Sequence, residues 1–209
     1  MASDVQSVLE KLVSGEDITR EEIILLLENR NGEIQSYLAQ KASAVARENY
    51  GNKVFVRGLI EFTNYCKNDC YYCGIRCSNK NASRYRLTRE EILECASHGY
   101  DLGFRTIVMQ GGEDQFYKDD LIADIVKSIK SEHPDCAVTL SIGERSFESY
   151  KKFFDAGADR YLLRHETADA EHYAKLHPSN LSSENRKQCL FNLKKIGSQR
   201  WAALQNISE

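Results

Sequence analysis

The sequence predicts an α/β fold in which a helical segment precedes a parallel sheet built from β/α units. Near the N-terminus apolar residues recur with a helical period, and further along an apolar strand-like run followed by an amphipathic helix-like run recurs four times. Each helix returns the chain to the start of the next strand, which makes the strands parallel. A closed eight-unit barrel takes about 250 residues. A chain of 209 residues with four units therefore predicts a partial (β/α) TIM-type barrel with an open sheet.

The composition excludes several classes of function. Hydrophobic residues make up 42% of the chain, 28 Lys and Arg stand against 31 Asp and Glu, and no basic block could neutralise a run of phosphates. No apolar stretch approaches the ~20 residues that a membrane span requires. Seven cysteines, an odd number without a signal peptide, favour a reducing compartment. We therefore expect a cytoplasmic protein without a nucleic-acid or membrane partner.

Residues 1–50 are predicted to form an N-terminal helical cap. Thr19 and Glu22 match a T-x-x-E capping box at the start of one helix, which continues into the apolar run IILLL. In the preceding helix the apolar residues recur at helical spacing, at Val8, Leu9, Leu12 and Val13. The core is predicted to follow over residues 51–197.

The first two β/α units begin where the apolar pattern changes to alternation. The run VFVRGLIEFTNYC, from Val54, predicts a strand of about eight residues that leads into a cluster of cysteines. Thr88 and Glu91 form a second capping box for a helix over 87–98. The apolar run TIVMQ then predicts a second strand, which ends at the sequence GGED, and a helix follows over 119–131.

The third and fourth units repeat the same alternation. The runs CAVTLSIG and DRYLLRHE predict strands, and helices are predicted over 146–154 and 183–196. In β/α barrels the chemistry lies at the carboxyl ends of the strands. Four polar features follow predicted strands and should meet at that rim: the cysteine cluster, Gly111-Gly112-Glu113-Asp114, Ser141, and Arg164-His165-Glu166.

The cysteines divide into two groups. Cys95, Cys136 and Cys189 lie apart and are expected to be small core residues, because free cysteine is among the most buried residue types. The others lie within twelve residues. The C-x3-C-x2-C spacing of Cys66, Cys70 and Cys73 suits three corners of a cubane iron–sulfur cluster with the fourth iron open. The alternative is a zinc-binding module completed by Cys77, since four cysteines are suitable zinc ligands.

No other catalytic motif competes with the cysteines. The sequence contains no Ser-His-Asp arrangement, P-loop or Rossmann glycine fingerprint. His165 could be structural or functional. The remaining histidines lie in predicted loops or at helix ends and are expected to be solvated: His98, His133, His172 and His177.

Two motifs in order resemble a known superfamily. The segment EFTNYCKNDCYYCGIR, with Tyr72 directly before the third cysteine, resembles the signature loop of the radical S-adenosylmethionine (SAM) superfamily, and GGE stands at the end of the second strand, as in that superfamily. The resemblance implies a [4Fe–4S] cluster on Cys66, Cys70 and Cys73. It also implies SAM, whose amino group would be bound at GGE and whose cavity would include these residues: Tyr72, Gly111, Gly112, Glu113, Ser141, Arg164, Glu166 and Arg186.

The stretch from Val54 to Gly197 is similar to the HydE family of [FeFe]-hydrogenase maturases, and a radical SAM enzyme of the biotin synthase or methylornithine synthase kind is the alternative. The matching pieces are NYCKNDCYYCGIR, VMQGGED, TLSIGER, AGADRYLLRHET and ENRKQCLFNLKKIG. The resemblance implies reductive cleavage of SAM to a 5′-deoxyadenosyl radical in hydrogenase maturation. The implied partners are a small-molecule or iron–sulfur precursor substrate, an external electron donor and other maturation proteins.

Residues 198–209, SQRWAALQNISE, depart from that resemblance. The family continues there into further β/α units that close the barrel, so the chain reads as truncated, with a non-family tail. An open sheet exposes backbone hydrogen-bonding groups at its edge. The isolated chain is therefore expected to be a poor or inactive catalyst.

Overall fold

The computed structural model describes residues 2–197, and in them the chain is α/β. Contacts divide the chain into two compact units, Met1–Phe55 and Val56–Glu209. The predicted tail lies outside the described residues. The described elements in chain order are α1 (Ala2–Val13), α2 (Arg20–Glu28), α3 (Gly32–Tyr50), β1 (Gly58–Thr63), α4 (Arg89–Asp101), β2 (Thr106–Gly111), α5 (Asp119–Glu132), β3 (Ala137–Ser141), α6 (Phe147–Asp155), β4 (Arg160–Tyr161), α7 (Ala170–Leu176) and α8 (Ser183–Ile196).

The first unit consists of the three helices α1 to α3. The predicted capping box is present, because the Thr19 hydroxyl accepts from the Glu22 amide and the Glu22 carboxylate accepts from the Thr19 amide. Lys11 of α1 forms an ion pair with Glu22 of α2 at 3.0 Å. No helix in residues 2–197 is long and apolar enough to cross a bilayer. The assignment of these helices as a cap remains a prediction.

The second unit contains a four-stranded parallel sheet in the order β1-β2-β3-β4. Its strands follow one another in space as in sequence, which is the arrangement that successive β/α units produce. The register pairs Glu61 with Gln110 and Gln110 with Ser141, so the carboxyl ends of β1, β2 and β3 lie side by side. The predicted rim is therefore one continuous edge of the sheet.

Two strands are shorter than the sequence predicts. The first begins at Gly58 and not at Val54, whose side chain is 86% exposed. The fourth comprises only Arg160 and Tyr161, although the Leu162 amide still donates to the carbonyl of Leu140. Both β1 and β4 lie at edges of the sheet, and each pairs with only one of the other described strands. Alternation in a sequence cannot show where such a partner ends.

The core lies between the sheet and its covering helices. Its residues come from all four strands and from α4, α5, α6 and α8, with Ile92, Ile122, Ile125, Ile129, Phe153 and Leu193 contributed by the helices. Cys136 and Cys189 are buried as expected. Cys95 is exposed, because α4 buries Ile92, Ala96 and Gly99 instead.

One helix, α7, is not predicted from the sequence. It has seven residues and begins after Asp169, whose carboxylate accepts a hydrogen bond from the His172 amide. Aspartate is a favourable residue at this position. The helix is too short for its apolar residues to show a helical period, and among them only Tyr173 is buried.

Removing a core side chain should destabilise the second unit strongly. Ile125 of α5 is completely buried, so Ile125→Ala is expected to lower the free energy of unfolding by about 2–5 kcal/mol. Leu102, 66% exposed, provides the control, and Leu102→Ala should change it by less than about 0.5 kcal/mol. Urea denaturation followed by circular dichroism measures both, and equal losses would contradict this description of the core.

Candidate functional site

A cavity of about 390 Å³ opens at the carboxyl ends of the strands. Ligand pockets commonly measure ~300–1,000 Å³. All eleven residues that the sequence predicts for the site line this cavity: Cys66, Cys70, Tyr72, Cys73, Gly111, Gly112, Glu113, Ser141, Arg164, Glu166 and Arg186. Cys77 is exposed and is not among the lining residues. The fold thus brings together segments that are more than a hundred residues apart in sequence.

The three cysteines lie on one long loop, residues 64–85, which we call the cysteine loop. It leaves the end of β1 and returns antiparallel to it, where Thr63 bridges to Arg86. Tight turns shape the loop internally, since the Cys73 amide donates to the Cys70 carbonyl at 3.0 Å. The Cys77 amide donates to the Asn68 carbonyl at 2.9 Å. The loop therefore satisfies part of its backbone by itself, as a loop without regular secondary structure must.

The environment of Cys66 and Cys70 disfavours a negative charge on their thiols. Burial raises the pKa of Cys66, and burial together with the neighbouring thiols of Cys66 and Cys73 raises the pKa of Cys70 to about 11. Three thiolates in this loop would repel one another. The thiols of Cys66 and Cys70 are therefore protonated at neutral pH, and a metal that bound them would displace their protons.

The thiols do not converge on a single point. Within residues 2–197, no three His, Cys, Asp or Glu side chains are grouped as the ligands of one metal ion. A tetrahedral zinc site needs such convergence, with Zn–S distances of about 2.3 Å. In a cubane each thiolate binds a different iron, so the three need not meet.

The glycines that end β2 allow the cysteine loop to pack directly on the strand. A Cβ atom at Gly112 would collide with the carbonyl oxygen of Tyr65 and would lie 2.7 Å from the Cβ of Cys66. At Gly111 it would lie 2.7 Å from the Thr63 side chain. The Lys67 amide also donates to the Glu113 carbonyl at 3.1 Å. At Gly112 glycine is therefore required by the close approach of another backbone, and at Gly111 the Thr63 side chain would have to move to admit a Cβ atom.

Glu113, which the resemblance implies as the contact for the amino group of SAM, forms an ion pair with Lys67 of the same chain. One carboxylate oxygen lies 3.1 Å from Nζ of Lys67, and the other accepts from the Glu144 amide at 2.9 Å. Gly143, at a φ of 76°, makes room, since a Cβ there would collide with the Glu113 side chain. An ammonium group of a ligand at Glu113 would therefore share the carboxylate with Lys67 or displace it.

Asp114 is a structural residue of the site that the sequence does not reveal. Its carboxylate accepts two bonds from Arg86, at 2.7 and 2.9 Å, and one from Thr63 at 2.8 Å. Burial alone would raise the pKa of this carboxyl, but the bonds from Arg86, the Phe116 amide and Thr63 hold its pKa below the ordinary value. Asp114 thus joins the end of β2 to both ends of the cysteine loop. The residue is visible in GGED, but its partners, 28 and 51 positions away, are not.

Glu166 has an unusual backbone and an unpartnered carboxylate oxygen. Its φ of 65° lies in the left-handed region, which is costly for a residue with a side chain, and such strain clusters at functional sites. Its side chain is buried, and Oε2 has no hydrogen-bond partner among the described residues. Arg164 lines the same cavity, is exposed, and forms no ion pair with Glu166 in the described part of the chain. A buried acceptor without a donor is unusual in a folded protein and calls for an explanation, such as a ligand or an ordered water.

The side chain of Tyr72 contacts the buried side chain of His177. The Tyr72 hydroxyl lies 3.4 Å from Nε2 of His177, whose Nδ1 donates to the Tyr173 carbonyl at 3.0 Å. Burial and the Glu166 carboxylate raise the pKa of Tyr72, so the phenol is neutral.

Two histidines that the sequence analysis expects at the surface are buried. His177 is 2% exposed. His133 is also buried, where its ring stacks on Tyr100 at 4.0 Å.

The last wall of the cavity comes from α8. Arg186 is buried there, and its Nε lies 2.9 Å from a carboxylate oxygen of Glu144, just beyond β3. The Glu144 carboxylate holds the pKa of Arg186 above its ordinary value, although burial opposes this. The guanidinium therefore stays charged beside the cavity.

Comparison with known proteins agrees with this geometry. The family model of the radical SAM superfamily matches residues 60–206. The chain belongs to the radical SAM superfamily. Members of this superfamily bind a [4Fe–4S] cluster and SAM.

Two curated relatives are similar in sequence. The chain is 46% identical over 192 residues to the [FeFe] hydrogenase maturase subunit HydE of Thermotoga maritima, and the alignment covers 92% of this chain and 54% of that protein. It is 33% identical to 3-methylornithine synthase of Methanosarcina acetivorans, over 83% of this chain and 49% of that enzyme.

Solved radical SAM structures confirm the fold class. The crystal structure of HydG, a maturase of the [FeFe]-hydrogenase, superimposes with a TM-score of 0.87 at 26% identity and covers 99% of this chain and 47% of that chain. The partial barrel predicted from the sequence is thereby confirmed. The chain spans about half the length of the curated relatives it matches.

Alanine at Gly112 should disturb the site through the cysteine loop. The new methyl group would collide with the Tyr65 carbonyl, so Gly112→Ala is expected to lower the free energy of unfolding by about 1–3 kcal/mol. Gly74, in the same loop, has open space around its Cβ position, and Gly74→Ala is the matched control. Urea denaturation under reducing conditions should separate the two variants, and equal stabilities would contradict the close packing.

The carboxylate of Asp114 should make the free energy of unfolding depend on pH at the acidic end of the range. Because its pKa is lowered in the folded chain, its contribution is complete above the unfolded pKa near 3.8 and is lost as the pH falls through the folded value. Asp114→Asn should lower the free energy of unfolding at pH 7 by about 1–3 kcal/mol. The free energies of unfolding of wild type and variant should converge as the pH falls from 3.8 through the lower, folded pKa of Asp114. A constant difference across the titration would argue against the ion pair.

Proposed function

We propose that this chain is the cluster- and SAM-binding part of a HydE-type [FeFe]-hydrogenase maturase. The observation that carries the proposal is the common cavity, in which the three cysteines meet the polar ends of β2 and β3, Glu166 and Arg186. The sequence similarity to HydE, 46% over 92% of this chain, supports the choice within the superfamily.

The donor set fits a [4Fe–4S] cluster. Cys66, Cys70 and Cys73 would bind three of its irons and leave the fourth facing the cavity that their side chains line. In this family the reduced cluster supplies the electron that cleaves the sulfonium bond of SAM. The chain supplies the position of the cofactor, in a cavity walled by charged and aromatic side chains.

The remaining wall residues have complementary charges for SAM. Glu113 would accept the ammonium group, with Lys67 as the competing cation. Arg186, held by Glu144, would supply positive charge for the carboxylate. The free carboxylate oxygen of Glu166 would accept from a hydroxyl of the ribose.

The remaining contacts with SAM come from small and exposed residues of the wall. Ser141 would donate a hydrogen bond, Gly111 and Gly112 would let the ligand approach the backbone, and Tyr72 would provide an aromatic face. Arg164 would line the same cavity from its exposed position beyond β4.

The same sequence similarity supports a proposal for the setting of this chemistry. We propose a small-molecule or iron–sulfur precursor as substrate, an external electron donor, and other hydrogenase maturation proteins as partners. The cysteines are free in the structure, which suits the reducing cytoplasm. Residues 51–197 would form the catalytic core and residues 1–50 the helical cap.

A 3-methylornithine synthase-type enzyme is the second candidate, supported by 33% identity over 83% of this chain. The zinc-binding module receives less support, because Cys77 is exposed outside the cavity.

Replacing any one of three cysteines should abolish cluster binding. After anaerobic reconstitution, the wild-type chain is expected to be brown and to hold roughly four irons and four sulfides, and the variants Cys66→Ser, Cys70→Ser and Cys73→Ser should hold few of either. The matched control is Cys77→Ser, which should bind iron as the wild type does. Iron, sulfide and zinc analysis decides the result.

A colourless protein whose zinc is lost in the Cys77→Ser variant would instead establish the four-cysteine zinc site.

Reduction with dithionite in the presence of SAM then tests whether the chain cleaves SAM. The product 5′-deoxyadenosine is measured by chromatography, and Cys70→Ser is the blank. Cysteine-dependent 5′-deoxyadenosine would show that these four β/α units suffice to cleave SAM. A brown protein that makes none would limit the proposal to cluster binding.

A further inference from the structure

One arginine outside the set predicted from the sequence joins the two ends of the cysteine loop. Arg84 is partly buried, and its guanidinium donates to four backbone carbonyl groups. The carbonyls belong to Asn64 and, at 3.0, 2.8 and 3.2 Å, to Ile75, Arg76 and Asn79. Asn64 lies two residues before Cys66, and Ile75 lies two residues after Cys73.

The number of bonds matches the chemistry of the guanidinium group. Its two terminal nitrogens carry four N–H donors in a fixed plane, and each of the two nitrogens serves two of these carbonyls. The carbonyls lie in a loop without helix or strand partners; that of Arg76 also accepts from the Asn79 amide at 3.1 Å, and Arg84 supplies a donor to all four. A lysine has three donors on a single atom and cannot span the same positions.

A second set of bonds fixes Arg84 itself. The side chain of Asn64 donates to the Ser83 carbonyl at 2.6 Å and accepts from the Tyr85 amide at 2.8 Å. Ser83 and Tyr85 directly precede and follow Arg84 in the chain. The side chain of Arg84 therefore starts from a backbone that is already tied to the beginning of the loop.

We propose that Arg84 is a positioning residue, which assembles the cysteine loop before any metal binds. It holds the chain on both sides of the three cysteines, and it does so with protein atoms alone. The inference that this order serves cluster loading rests on the proposed function, whereas the ordering of the metal-free loop does not.

The test compares Arg84→Lys and Arg84→Gln with Arg105→Lys. Arg105 is a matched control, because its guanidinium also donates to backbone carbonyls, those of Tyr100 and Phe104, but at the turn before β2. Hydrogen exchange is measured first on the metal-free, reduced full chain. The Arg84 variants are expected to exchange the amides of residues 66–79 about tenfold faster or more, with unchanged protection in β2. The control should leave the loop as in the wild type.

Anaerobic reconstitution follows, with iron uptake and the electron paramagnetic resonance spectrum of the reduced cluster as readouts. Both Arg84 variants should load more slowly than the wild type and the control, and Arg84→Lys should retain more uptake than Arg84→Gln. Wild-type exchange and loading in Arg84→Lys and Arg84→Gln would overturn the inference. Faster exchange throughout β2 would do so too, since it would assign Arg84 a general structural role.

The two proposals can fail separately. A wild-type chain that takes up no iron contradicts the proposed function, and the exchange data then decide alone whether Arg84 orders the metal-free loop. Normal loading by the wild type together with normal loading by both Arg84 variants contradicts the role of Arg84 and leaves the proposed function standing.

Discussion

The site depends on the direct contact between the cysteine loop and the end of β2. Backbone packs on backbone there, because Gly112 leaves no side chain between the strand and the Tyr65 carbonyl. The Lys67 amide and the Glu113 carbonyl then form a hydrogen bond across the same contact. A loop of irregular structure acquires a defined position in this way, since the strand beneath it, β2, is paired with β1 on one side and β3 on the other. The thiols consequently face a cavity whose other walls are strand ends and α8.

Three ion pairs join the elements around this contact. Lys67 pairs with Glu113, Arg86 with Asp114, and Arg186 with Glu144, and in each case the carboxylate follows a strand end. A buried charge is tolerated when it is paired, as Glu113, Asp114 and Arg186 are, and losing the partner is costly. Glu166 differs, because one oxygen of its carboxylate has no partner among the described residues and its backbone is in the left-handed region. Three carboxylates beside the site are thus paired with protein cations, whereas one oxygen of Glu166 is left without a partner in residues 2–197.

Much of the architecture can be predicted from the sequence because it depends on local chemistry. The capping boxes at Thr19 and Thr88 form as their spacing predicts, since each needs only residues three positions apart. The order of strands and helices follows from apolar periods of two and about 3.6 residues. The gathering of GGE, Ser141 and Glu166 at one edge follows in turn, because parallel strands place their carboxyl ends together.

The sequence by itself therefore determined the β/α order, the three cysteines and the rim on which they lie. Only the tertiary structure decided which residues hold that rim in place. Arg84 and Asp114 act through partners distant in the chain, α7 is too short to show a period, and His177 is buried by packing that its own segment does not reveal. The ends of β1 and β4 depend on where a neighbouring strand stops. Local patterns report the conformational preferences of a segment, whereas these features come from contacts between segments, which form only when the chain has folded.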